Sequence, residues 1–272
     1  MTRADRAAPG RLHETDAPPL TAGPQSAGHT SHLQSRNIFG RPHHSRGDTT
    51  AQKQENTMST RPTGEQLARL RELGAATIYE AQGQRGSIGA VIKPIDPSMK
   101  LAGPALTVDA GAADNLMLHA ALQHARPGDI LVADARGFLD AGAWGDVLTA
   151  AAQKAGIAGL VIHGAVRDAE EIIDMKFPLF AKGLSIRGTT KAYKGSIGQP
   201  VDIAGTTVHN GDIIVGDRDG LVVVRAGEVE SALELAQARE DKETKFREQI
   251  AEGASTVELL GLTGTLSSYF PN

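Results

Sequence analysis

Cysteine is absent from all 272 residues, so no disulfide, thiolate zinc site or cysteine nucleophile can form. A chain built without disulfides is assigned by default to a reducing cytoplasm. Long apolar runs are missing too. No window reaches the roughly 18 consecutive apolar residues that a membrane-spanning helix needs. Nor is there an excess of positive charge: the net charge is −4, and −6 once the first 57 residues, with their seven Lys/Arg and five Asp/Glu, are set aside. That balance argues against a general nucleic-acid binder and points to a small-molecule partner.

Residues 1–57 lack something else, a face that could pack. They hold five of the nine histidines and runs of Ser, Thr, Pro, Gly and Arg with almost no apolar periodicity, so they are expected to be a disordered N-terminal extension. Without an apolar core segment they do not read as a signal peptide, and Asp5, Glu14, Asp16, Asp48 and Glu55 count against a transit peptide. Met58 reads as a natural start. Residues 58–272 are expected to be a single domain, since about 215 residues suit one core.

Thr63-Gly64-Glu65-Gln66 matches a capping box, and Leu67, Leu70 and Leu73 mark one helix face that Gly74 can close. A second short helix is predicted over Ala76 to Gln82, a turn over Lys93 to Pro97, and a strand over Gly103 to Val108. Asp114 can cap a helix from Asn115 to Ala125. Two similar turns feed apolar strands, Pro127-Gly128-Asp129 before Ile130 to Asp134 and Asn210-Gly211-Asp212 before Ile213 to Asp217. Further strands are predicted over Ile157 to Ile162, over Pro178 to Phe180, in a hairpin at Gln199 to Val208, and over Leu221 to Val224. A short helix is predicted over Asp168 to Met175, and a charged amphipathic helix from Glu228 to about Glu252. Helices and strands alternate early and hairpins dominate late. The pattern predicts an α/β chain, a mixed sandwich with a partly parallel central sheet and a C-terminal helix.

The residues that carry chemistry bracket one helix and one strand. Gly145-Asp146-Val147-Leu148 opens the helix; Arg167-Asp168 follows the strand, where open α/β sheets bind ligands. Alone, Asp146 reads as an N-cap and Arg167-Asp168 as an exposed ion pair. Their joint placement after Gly145 and Gly164 suggests more. Backbone amides of Gly145 to Leu148 can bind a carboxylate at the helix N-terminus, and Arg167 can clamp it in a bidentate pair. Asp168 can hold a hard cation such as Mg²⁺, which takes one or two protein carboxylates and keeps several waters.

With Trp144-Gly145-Asp146-Val147-Leu148, Gly159 to Asp168, Phe177-Pro178-Leu179-Phe180 and the Gly-Asp strand at 211–217, the chain resembles the RraA-like family over nearly all of residues 60–225. Within it, the chain is similar to the 4-hydroxy-4-methyl-2-oxoglutarate / 4-carboxy-4-hydroxy-2-oxoadipate aldolases. Asp146, twenty intervening residues and Arg167-Asp168 match the signature of those aldolases. The resemblance implies a swivelling β/β/α fold, pyruvyl binding by Gly145, Asp146, Val147 and Leu148, substrate binding by Arg167, and a divalent metal, Mg²⁺ or Mn²⁺, at Asp168. It also implies a homotrimer or a hexamer with sites between subunits, each completed by an acidic residue of a neighbour's C-terminal helix. Glu243 is the candidate there, with Glu240 second. Asp146 is the candidate base for retro-aldol cleavage of a 2-oxo acid, and oxaloacetate decarboxylation is expected as a side activity.

Three other chemistries fit the sequence less well. The family also implies a non-catalytic regulator that binds ribonuclease E, which would not need Asp168. A methyltransferase would want a Gly-rich loop after a first strand, and none follows one here. Schiff-base chemistry through Lys176, Lys182, Lys191 or Lys194 would need a desolvated lysine, and all four read as solvated. His163, where relatives often carry Asp, reads as a packed strand-end residue.

Overall fold

The structure, a computed structural model, describes residues 61–270; the extension expected over residues 1–57 lies outside the described residues. The capping box forms as the sequence predicts. Gln66 N donates to Thr63 Oγ1 at 3.2 Å and Thr63 N to Gln66 Oε1 at 2.9 Å, opening α1 (Gly64–Leu73). Gly74, at φ 81°, ends α1 and starts α2 (Ala75–Ala81), whose N-terminal amide at Ala75 is capped from a distance by Asp217 Oδ2 at 2.8 Å.

A seven-stranded sheet in the order β1-β5-β4-β3-β2-β8-β9 follows. Its centre is parallel: β2 (Leu101–Asp109), β3 (Ile130–Asp134), β4 (Gly159–Val166) and β5 (Leu179–Leu184) lie side by side in chain order. β2, β3 and β4 are buried almost throughout and β5 over Leu179 to Ala181, which is why these stretches are continuous apolar runs and not alternations. The crossovers are α3 (Leu116–His124), α4 (Asp146–Lys154) and α5 (Ala169–Asp174). Because the strands progress in one direction, successive crossovers of one hand fall on the same face, and α3 packs on α4 and α4 on α5.

The opposite face is covered by the hairpin β6 (Val201–Ile203) and β7 (Thr206–Val208), which packs on β2 and β3. This is the β/β/α layering that the resemblance implies. The hairpin turns at Ala204 and Gly205, both at positive φ (50° and 91°), as a two-residue primed turn requires. Antiparallel strands finish both edges, β1 (Lys93–Pro94) on β5 and β8 (Ile213–Gly216) with β9 (Leu221–Val224) beyond β2. The segment at Lys93 to Pro97, predicted as a turn, thus contributes a two-residue edge strand, where proline's missing N–H costs nothing.

A second apolar cluster joins α1, α2, β8 and β9 to the C-terminal helix α6 (Val229–Ala251). Only Val229, Ala232 and Ala236 of α6 are buried, all in its first half. Two further helices, α7 (Thr256–Leu259) and α8 (Thr263–Tyr269), bury nothing and are not foreseen from the sequence pattern. No helix among the described residues is long and apolar enough to cross a membrane.

Candidate active site

β4 places the first half of the site. Its pairing with β5 shifts register between Ile162 and Ala165, a bulge of the kind found beside functional sites, and Arg167 and Asp168 follow immediately. The loop before α4 then lies along the end of β4. Ala143 N donates to Ala165 O at 2.9 Å and Arg167 N to Trp144 O at 2.9 Å. Trp144, 1% exposed, locks this loop: its ring stacks on Phe177 with centroids 6.2 Å apart, and its Nε1 donates to Thr149 Oγ1 at 2.7 Å. Thr149 Oγ1 in turn donates to Gly145 O at 3.0 Å. The two ends of the sequence motif, separable on paper, therefore meet directly.

Asp168 is the most unusual residue of the site. It sits in the left-handed region at φ 54°, a strained conformation that Asp tolerates better than most residues, and it occupies the N-cap of α5 without capping it. Its carboxylate turns instead to the N-terminus of α4, where Oδ2 accepts from Asp146 N and from Arg167 Nε, each at 3.3 Å. Only glycine permits that approach at position 145, since a Cβ there would lie 2.2 Å from Asp168 Oδ2. Arg167 is 45% exposed at its side chain, so the pairing contributes little stability. Its two terminal nitrogens have no protein acceptor among the described residues and remain available for a ligand.

Two sequence readings need correction. Gly145, not Asp146, is the N-cap of α4; Asp146 is the first helical residue, and its Oδ1 accepts from Val147 N at 2.7 Å. The amides of Gly145 to Leu148 are consequently not all free, because two of them already face the protein's own carboxylates. Those of Gly145 and Leu148 remain for an incoming anion, and Asp146 keeps Oδ2 without a protein donor.

The cleft beside Gly145, Asp146 and Arg167 has a volume of about 300 Å³, and Asp168 borders an adjoining hollow with Arg167, Ala169 and Ser185. One wall is Gly142 to Leu148 with Arg167; the other is made by Asn115 and His119 of the α3 segment and by Thr189 and Lys191 beyond β5. Asn115 is buried, gives its Nδ2 to Ala143 O at 3.3 Å, and leaves Oδ1 unpartnered. His119 is held below its ordinary pKa by desolvation and then by the Lys191 ammonium, which favours neutral imidazole near pH 7. The sequence reading missed Asn115 and His119 because they look like ordinary helix-start and helix-face residues. It named Lys191 only as a solvated lysine, and no spacing signal ties it to the cleft.

Asp114, predicted as a helix cap, does more. It is 2% exposed; Oδ1 accepts from Leu116 N at 2.8 Å, while Oδ2 accepts from Thr190 Oγ1 at 2.6 Å and Ala192 N at 2.7 Å. Burial raises its pKa, and these hydrogen bonds outweigh burial and lower it from 3.8 to about 2. A depressed carboxylate stabilises the fold above its unfolded pKa and loses that contribution as pH falls toward the folded value. About 2 kcal/mol is expected to be present above pH 4 and to fade between about pH 4 and 2. Denaturant unfolding of wild type and Asp114→Asn across pH 2–7 checks this: the gap should narrow in acid, and a constant gap would refute it.

Other candidates lie apart. Glu243 pairs with Arg239 at 2.9 Å and with Arg247 at 3.9 Å, and Glu240 with Arg247 at 2.7 Å, on the exposed half of α6 and outside this chain's cleft. His163 is not at a strand end but within β4, with Nδ1 3.4 Å from Asp134 Oδ1. Lys182 is not a solvated lysine; it follows buried Leu179, Phe180 and Ala181 in β5, is half-buried, and donates to Gly137 O at 3.0 Å. Among the described residues no group of three His, Asp or Glu side chains forms a ready metal cage. Asp168 alone, with one oxygen lacking any protein donor, fits a cation that keeps several waters and draws its other ligands from substrate.

Comparison with known proteins shows the family and the fold. The family model described as Aldolase/RraA, RraA-like, matches residues 75–223. A protein of Halalkalibacterium halodurans with the provisional name 4-hydroxy-4-methyl-2-oxoglutarate aldolase is 34% identical over 182 residues, 66% of this chain and 87% of that one. Among solved structures, an uncharacterized Pseudomonas syringae protein superposes with a TM-score of 0.65 at 26% identity, covering 74% of this chain and 98% of its own. RraAS2 of Streptomyces coelicolor, described as an unusual member of the RNase ES inhibitor RraA family, gives a TM-score of 0.61 at 27% identity, covering 70% of this chain and all of its own. Fold, layering and the paired motif at Asp146 and Arg167-Asp168 converge: the chain belongs to the RraA-like family, Aldolase/RraA.

Proposed function

We propose that the chain is a divalent-metal-dependent aldolase that cleaves 4-hydroxy-4-methyl-2-oxoglutarate, 4-carboxy-4-hydroxy-2-oxoadipate or both, releasing pyruvate. The observation that carries this reading is the carboxylate of Asp168, turned away from its own helix toward the α4 N-terminus, beside an Arg167 whose two terminal nitrogens have no acceptor among the described residues. The aldolase name of the Halalkalibacterium relative supports it. Arg167 and the remaining amides of the α4 N-terminus bind the pyruvyl carboxylate. The Asn115, His119 and Lys191 wall faces the other end of the substrate and suits its distal carboxylate. Asp146 Oδ2, directly or through water, removes the C4 hydroxyl proton. The C3–C4 bond then breaks, C4 becomes a carbonyl, and the bonding pair passes to the pyruvyl fragment as an enolate. Protonation at C3 gives pyruvate. Mg²⁺ or Mn²⁺, when bound at Asp168, supplies the positive charge that stabilises the enolate oxygen. Oxaloacetate decarboxylation leads to the same enolate and follows as a side activity.

The reading extends to a homo-oligomer, a trimer or a hexamer, in which Glu243 or Glu240 of a neighbouring copy completes each site, exchanging its ion pair with Arg239 or Arg247 for the neighbour's cleft. The rival reading, a ribonuclease E-binding regulator, has no use for the arrangement at Asp168. The deciding assay incubates purified protein with each substrate and Mg²⁺, with and without EDTA, and follows pyruvate. Release that EDTA abolishes and added Mg²⁺ or Mn²⁺ restores is expected. Release that survives EDTA and is trapped by borohydride would move the chemistry to a lysine.

A further inference from the structure

After β5 the chain runs from 185 to 198 without regular structure, yet it is fastened at many points. Gly142 N donates to Arg187 O, Asn115 N to Thr190 O, Thr190 N to Ala113 O, Asp109 N to Ser196 O and Gly198 N to Thr107 O, all within 2.9–3.1 Å. Gly195 lies so close to β2 that a Cβ would sit 1.9 Å from Asp109 O, and Tyr193 donates its hydroxyl to Asp109 Oδ2 at 3.0 Å. Within this strap, Thr189 and Lys191 line the cleft and flank Thr190, whose hydroxyl donates to Asp114 Oδ2.

One side chain ties the strap to the neighbouring wall. The two oxygens of Asp114 divide the work. Oδ1 holds the start of α3 through Leu116 N, next to Asn115, and Oδ2 holds the strap through Thr190 Oγ1 and Ala192 N, on either side of Lys191. Asp114 does not touch Asp146, Arg167 or Asp168, which hang from α4 and β4. It is also buried, so its hydrogen bonds are not exchanged for water and its removal is felt by both walls. An irregular segment of this length would otherwise sample many conformations, and a lysine on it would spend entropy whenever it engaged a ligand.

We propose that Asp114 is a positioning residue that presets Lys191 against the α3 wall and thereby sets the grip on the substrate's distal carboxylate. It rests on the aldolase reading for the identity of that substrate, but the preset wall is measurable without turnover. Loosening it weakens ligands that carry a second carboxylate and leaves the pyruvyl end as it was.

The test compares wild type, Asp114→Asn, Thr190→Val, Lys191→Met and the Asp114→Asn/Lys191→Met double variant. Calorimetry in Mg²⁺ gives affinities for pyruvate and 2-oxoglutarate, and steady-state kinetics on 4-hydroxy-4-methyl-2-oxoglutarate give KM and kcat. In Asp114→Asn the affinity for 2-oxoglutarate relative to pyruvate should fall by about tenfold or more, the scale of one lost charge-assisted contact, with KM rising to match and kcat nearly unchanged. Thr190→Val, which removes a single bond to Oδ2, should shift the same ratio in the same direction by less. The double variant should be no weaker than Lys191→Met alone, because Asp114 acts through Lys191. Additive losses, an unchanged affinity ratio in both Asp114→Asn and Thr190→Val, or kcat falling together with KM would overturn the assignment. Should wild type cleave nothing while the affinity ratio still responds as stated, the aldolase reading fails and the positioning role stands.

Discussion

Asp168→Ala is expected to leave the protein folded and almost without pyruvate release at ordinary Mg²⁺ concentrations. Mg²⁺ is held by one or two protein carboxylates, and Asp168, beside the cleft, is the one our proposal assigns to it. Losing even an outer hydrogen-bond partner of a metal ligand costs roughly 10- to 100-fold in affinity or activity, so removing the ligand should cost about a hundredfold or more. Folding should be little affected, because Asp168 Oδ2 makes two 3.3 Å bonds at a partly exposed position. Alanine also suits φ 54° poorly. Asp168→Asn separates the two effects, since asparagine tolerates the left-handed region and keeps the shape while losing the charge. Titrating Mg²⁺ and Mn²⁺ against rate for both variants is the measurement. Full activity in Asp168→Asn with unchanged metal dependence would remove Asp168 from the chemistry.

Arg167→Lys is expected to lose on the order of a hundredfold in kcat/KM, about 2.7 kcal/mol of transition-state stabilisation. The charge survives the substitution, but the planar fork does not, and an ammonium cannot reproduce two parallel bonds to a carboxylate. The fold should hold, because the backbone bond from Arg167 N to Trp144 O is unaltered and the side chain has one weak internal partner. Melting temperature measured beside kcat/KM distinguishes loss of grip from loss of structure. A variant within a few-fold of wild type, with Asp146→Ala equally active, would sink the site assignment and favour the protein-binding reading.

Much of the architecture was legible because it depends on local patterns. The capping box at Thr63, the apolar runs of β3, β4, β8 and β9, the hairpin around Ala204-Gly205 and the long α6 all announce themselves through periodicity or turn chemistry. What failed was also local in cause. Lys93-Pro94 carries turn residues, yet pairs with β5 because a sheet edge has room for a proline. Lys182 belongs to a strand that continues past the apolar stretch from Leu179 to Ala181, so its burial comes from strand length and not from its neighbours' polarity. Helices α7 and α8 bury no residue and thus leave no apolar stripe to read.

By itself the sequence determined the order of elements and the two halves of the motif, Gly145 to Leu148 and Arg167-Asp168, since caps, glycines and apolar runs act over a few residues. Only the tertiary structure decided how the halves meet. Trp144 wedged against Phe177 draws the loop along β4, and Asp168 turns at positive φ to face the wrong helix for a cap and the right one for a site. Only the tertiary structure, too, assembled the opposite wall. Asn115, His119 and Lys191 come from segments up to 76 residues apart, joined by the carboxylate of Asp114 reaching Thr190. Such a contact has no period, and a buried carboxylate before a helix looks the same in sequence whether it caps that helix or clamps a strap to it.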